Sequence, residues 1–227
     1  MSKTLKVVVG VAALLVIAVA ASLYWGQHKK VEFRSDIAAL LTEASAQLRT
    51  ALGVESDQNA ADTPEAVSRL EQIAARLDQQ VSALHAMDTT RNLPLAEAAE
   101  DYLTTARQIA VYQARMHRLR SEVAADARAL AEHMRSADRR ARGWIGEAMQ
   151  KKDLLEKNYF DYRQASDAFA DLTSSYITTR KTLVPLIGGG TALLEESVVR
   201  EAYERARTAA KQAAAEVDQA RQLAVAR

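Results

Sequence analysis

Residues 95–137 read LAEAAEDYLTTARQIAVYQARMHRLRSEVAADARALAEHMRSA. An apolar or small side chain returns at every seventh position: Leu95, Tyr102, Ile109, Met116, Val123, Leu130 and Ala137. Seven residues make close to two helical turns, so the column lies along one side of a long helix and buries against partner helices. A half-buried strand would alternate with a period of two, and this stretch does not. A second column follows: Ala148, Leu155, Tyr162, Phe169, Tyr176 and Leu183.

The two columns are either one rod or the two arms of a hairpin. Ala127, Met134, Ala141, Ala148 and Leu155 keep phase across the junction, which suits a rod. Gly143 and Gly146 bracket Trp144-Ile145 there, which suits a turn, although two glycines cost a helix only about 2 kcal/mol. Burial favours the hairpin, because a monomeric rod leaves an apolar stripe uncovered from Val123 to Ala148.

Working upstream, Leu93-Pro94 closes a break from Asp88, and proline suits a helix start. Thr63-Pro64-Glu65 reads as an N-cap, a first-turn proline and an acid facing the helix dipole. The helix behind it carries Val67, Leu70, Ala74, Leu77, Val81 and Leu84. Before that, Ile37, Leu41, Ala44, Leu48 and Ala51 form another amphipathic face, ended by Gly53 and a polar loop over 55–62. Downstream, Pro185 and Gly188-Gly189-Gly190 end the second column, and Thr191 is placed to cap an alanine-rich last helix. The expected helices are 28–52, 64–88, 94–140, 146–187 and 191–225. The fold class is therefore all-α: an N-terminal transmembrane helix followed by an elongated antiparallel helical bundle with coiled-coil-like packing.

The N-terminal segment is a six-residue tail followed by Val7 to Trp25, VVVGVAALLVIAVAASLYW, which carries no charge. As a helix it measures about 28 Å, close to the hydrocarbon thickness of a bilayer. Tyr24 and Trp25 suit a headgroup region, with Lys29, Lys30 and Arg34 beyond them. The segment reads as an anchor over 7–25. A signal peptide cut after Ala18-Val19-Ala20 is the alternative, and the apolar run continuing to Trp25 argues against it. The basic residues are nearly balanced across the span; the short lysine-bearing tail places the N-terminus inside. Residues 26–227 then form an extracytoplasmic bundle on the inner membrane's periplasmic side.

Composition agrees. Among 227 residues there are 8 Gly, 3 Pro and about 45 Ala, which favours long helices over sheets. Lys+Arg is 30 and Asp+Glu is 29, a net charge of +1, so no global field favours nucleic acid. With 0 Cys there is no disulfide, thiolate metal site or cysteine nucleophile.

Residues in a catalytic or ligating pattern are scarce. His28, His85, His117 and His133 lack the Glu-x-x-His spacing of di-iron bundles and any zinc-helix spacing. There is no Gly-x-Ser-x-Gly motif, and Gly188 to Gly190 leads to Thr191 without the lysine of a phosphate loop. No catalytic, metal or cofactor residue is expected.

Three places carry the remaining candidates. Arg139, Arg140, Arg142 and Trp144 form a partner-contact patch at the distal hairpin turn, residue types enriched in binding hot spots. Leu186, Ile187, Gly188, Gly189 and Gly190 form a membrane-proximal loop, either a lipid or partner contact or a plug for the bundle's end. Tyr102, Tyr162 and Tyr176 mark a small-ligand slot, or ordinary core packing. The Ser/Thr cluster from Thr173 to Thr182 offers hydroxyls to a polar partner.

An anchor followed by a helical bundle resembles, in layout, the sensory half of bacterial chemoreceptors and sensor kinases with four-helix ligand-binding domains. The resemblance is one of arrangement and carries no motif residues. Those receptors return through the membrane by a second span, which this sequence does not show, so no family follows. The expected function is a non-enzymatic, single-span scaffold, spacer or accessory subunit of a bacterial envelope assembly. Its partners are the membrane, through 7–25, and another envelope protein or a second copy. The alternative is an extracytoplasmic small-ligand-binding, sensor-like bundle.

Overall fold

The computed structural model describes residues 3–53, 63–135, 142–188 and 191–225, with side chains described for 27–53, 63–135, 142–188 and 191–224. The described chain is helical and its helices pack on one another. They are α1 (Lys3–Gly53), α2 (Pro64–His85), α3 (Leu93–Arg135), α4 (Trp144–Ile187) and α5 (Glu196–Val225), with a 3₁₀ turn at Thr89–Arg91.

Helix α3 is the central post and touches all four others. Its column is buried from Leu95 through Leu130, and the α4 column is buried from Leu155 through Leu183. Both seams read from the sequence are thus the core, apart from Ala148, which is half-buried, and Ala137, which lies outside the described residues. The two helices run antiparallel as a hairpin: the Asn158 amide donates to Asp126 at 2.8 Å, and His133 stacks on Trp144.

Helix α2 runs antiparallel to α3, with His85 bonded to Glu100 and Asp78 paired to Arg107, both at 2.8–2.9 Å. The second half of α1 runs parallel to α3, and its buried stripe is Phe33, Ile37, Leu41, Ala44, Leu48 and Leu52. Its last carbonyls, orphaned at a helix end, are taken by other helices. The Gln113 amide donates to Ala51 O at 3.0 Å and Arg205 donates to Leu52 O at 2.9 Å. Helix α5 runs parallel to α3, with the Arg120 guanidinium forked onto Glu216 at 2.5 and 2.8 Å.

Boundaries differ from the sequence reading where tertiary contacts intervene. Thr63 caps α2 as expected, accepting from Ala66 N–H at 3.2 Å. Helix α4 begins at Trp144, because Gly143 turns the chain at φ +96° and Gly146 is helical. Helix α5 begins at Glu196, five residues after Thr191. Leu193 and Leu194 are buried in the intervening segment, and Leu194 O is held by side chains of α4.

Helix α1 is a single element from Lys3 to Gly53. Among the described residues no helix is long and apolar enough to cross a membrane. The anchor over 7–25 falls outside the residues whose side chains are described, so that reading stands on the sequence alone.

Candidate functional site

At the base of the bundle, the end where α1 enters, the α4–α5 connection lies against α1. A Cβ placed on Gly188 would lie 3.9 Å from the Arg34 guanidinium. Gly188 itself is exposed at φ +82°, Leu186 is half-buried and Ile187 is buried. Gly189 and Gly190 lie outside the described residues. Leu183, Ile187, Leu193 and Leu194 close the core here, while Val184 stays exposed.

Just inside, four elements meet through hydroxyls. Ser45 of α1 donates to its own helix at Leu41 O, 2.6 Å away. Its oxygen lies 2.7 Å from the Tyr102 hydroxyl of α3, which lies 2.8 Å from the Tyr176 hydroxyl of α4. Tyr176 donates on to Leu194 O at 3.1 Å, and Arg180 donates to the same carbonyl at 3.0 Å. Burial, reinforced by Tyr102 alongside, pushes the Tyr176 hydroxyl far above the ordinary tyrosine pKa. The Tyr176 hydroxyl therefore stays neutral and serves as a hydrogen-bonding group.

Two of the three slot tyrosines are thus brought together. Tyr102 and Tyr176 have their rings 5.2 Å apart, and both are fully buried. Tyr162 is buried about four turns earlier in α4. They sit in the core, and three recesses among the described residues open along α5 instead. The Ser/Thr cluster turns back on its own helix: Ser174 bonds Ala170 O, Thr178 bonds Ser174 O, Thr179 bonds Ser175 O and Thr182 bonds Thr178 O.

At the distal end, Arg139 and Arg140 lie outside the described residues and Arg142 is exposed. Trp144 is half-buried, stacked on His133 with ring centroids 5.0 Å apart, and its carbonyl lies 3.0 Å from His133 Nε2. Beside it Ile145 and Met149 are 69% and 61% exposed. Sequence reading missed these two. The signal was present in Ile145 and Met149, one turn apart and off the buried column.

Among the described residues no group of three His, Asp or Glu side chains is placed to hold a metal ion. Compared with protein-family models, curated proteins and solved structures, the chain matches none. The functional reading therefore rests on the residues themselves.

Proposed function

We propose that the chain is a non-enzymatic, single-span membrane protein whose bundle acts as a scaffold or spacer in a bacterial envelope assembly. One observation carries this reading. The uncharged 7–25 stretch and the buried Phe33–Leu52 stripe belong to one uninterrupted helix, α1. A segment of bilayer length is thereby held at a fixed angle to the bundle. The α3–α4 hairpin carries its turn away from that segment, along arms of about 65 Å. In this reading the base loop lies near the membrane surface on the periplasmic side. The turn, with Arg142, Ile145 and Met149, is the contact for another envelope protein.

The test is purification of the full chain from native membranes in mild detergent, with mass analysis of the intact complex. The expected result is a chain that retains residues 1–20 and carries a stoichiometric envelope protein. That partner is lost when Arg142, Ile145 and Met149 are all changed to serine. A chain lacking its first 20 residues, or one that keeps its partner after those changes, overturns the proposal. A C-terminal reporter active only in the cytoplasm overturns the orientation.

A further inference from the structure

Helices α4 and α5 are clamped at both ends and open between. At one end Arg221 forks onto Glu156, with its Nε 2.8 Å from the carboxylate, and covers the Tyr159 ring. At the other, Arg180 reaches Leu194 O and Glu196. Between the clamps two recesses of about 290 and 330 Å³ share Ala170 and Tyr203. Together they run from Tyr159 to Ile177, about 27 Å of helix.

The walls of this face differ in sign. The α4 wall carries Asp167 and Asp171, one turn apart, with Arg163 a turn before them, and is net acidic; the α5 wall carries Arg200, Arg207 and Lys211 and is basic. They stand at matching heights, since Asp167, Arg207 and Lys211 line one recess. Arg207 has only an exposed pair with Glu204 on its own helix, at 3.6 Å. Among the described residues no ion pair or hydrogen bond engages Asp167, Asp171 or Lys211. Other contacts between adjoining helices are laced by such pairs, Arg120–Glu216 and Arg107–Asp78 among them. Phe160, one heptad from Asp167 on the same stripe, is 60% exposed.

We infer that the α4–α5 face binds a second copy of this chain, with the two copies parallel. A two-fold axis along the helices lays α4 of each copy over α5 of the other at equal height. Both acidic walls then meet basic walls, and each Phe160 meets the alanines of the opposing α5. A two-fold axis across the helices lays α4 on α4 and sets acid against acid, so the charge pattern selects the parallel arrangement. The face is about 27 Å long and two helices wide, which places it toward the small end of specific interfaces and suits a reversible dimer. The face stands without the membrane anchor; the anchor adds only that both copies rise from one membrane.

The test is the oligomeric state of the full chain in mild detergent at about 100 µM, by sedimentation, a concentration suited to an interface of this size. Wild type sediments as a dimer. Asp167→Lys with Asp171→Lys makes both walls basic, and Arg207→Glu with Lys211→Glu makes both acidic. Each double variant alone is a monomer, and the two mixed restore a dimer. The milder Asp167→Asn with Asp171→Asn weakens the dimer by about tenfold and guards against a reversal that unfolds. A monomeric wild type, an unaffected neutral variant, or folded reversed variants that do not pair when mixed overturn the inference. None of these outcomes bears on membrane retention, so this failure and that of the scaffold reading are separable.

Discussion

At the scale of single residues, the hydroxyls of Ser45, Tyr102 and Tyr176 are tied to one another across long sequence distances. Tyr176 is a heptad-column residue by sequence, and burial of its ring was legible from that. Its partners were not: Tyr102 is 74 positions away and Ser45 of α1 lies beyond it. Spacing within one helix carries no information on which helices become neighbours. Tyr176→Phe removes bonds to Tyr102 and Leu194 O, and Arg180 still serves that carbonyl. The expected cost is about 1 kcal/mol, read as a melting shift of about 3 °C. Combined with Tyr102→Phe, the loss should fall short of the sum, because both remove one shared bond. Glu156 gives a pH-dependent counterpart. Its hydrogen bond from Arg221 holds the carboxyl below its ordinary value of 4.5. Stability from this pair is therefore present above that value and is lost as pH falls through the lower folded value. Glu156→Gln should lower the melting temperature by about 2 °C at neutral pH, the scale of a half-exposed pair, and the difference should shrink as acid protonates the carboxyl.

At the scale of elements, the seams of α3 and α4 were legible because each keeps one phase for six turns or more. The turn between them was balanced at the sequence level, since the phase also continues across 127–155. Coverage of the apolar stripe separates the two cases, and coverage is a property of the folded whole. The two glycines near the turn have opposite roles. Gly143 holds φ at +96°, a conformation that costs other residues about 1 kcal/mol or more. Gly146 is inside α4, and a Cβ there would meet nothing within 4 Å. Gly146→Ala should raise the melting temperature by about 3 °C and Gly143→Ala should lower it by a similar amount. The start of α5 was misread for a related reason. Thr191 has the right chemistry for a cap, yet Leu193 and Leu194 are drawn into the core before the helix begins. The candidate contacts were partly legible: the half-buried Trp144 and exposed Arg142 lie at the turn, whereas the hydroxyls from Ser174 to Thr182 bond α4's own carbonyls.

At the scale of the whole molecule, the layers thin with height. Around Tyr102 the post α3 is flanked by α1, α2 and α4, but α1 ends beside Gln113. Further up, among the described residues, α3 faces α4 and α5, with Ala127 and Ala131 opposite Ala220 and Leu223. Amide exchange should therefore be slowest near Tyr102 and Tyr176 and fastest toward Arg135 and Trp144, measured by hydrogen–deuterium exchange with mass detection. Uniform protection along α3 would contradict this gradient. The length of α1 has a consequence of a different kind. From Gln27 to Leu52 it holds neither glycine nor proline, and its second half is locked into the bundle by Ser45 and the carbonyls of Ala51 and Leu52. Each residue of a helix advances the chain by about 100° and 1.5 Å. Two residues added after Gln27 would therefore spin the first 26 residues by about 200° against an unchanged bundle, and seven would lift them by about 10 Å with almost no spin. The stretch between Gln27 and Phe33 thus sets an azimuth as well as a height.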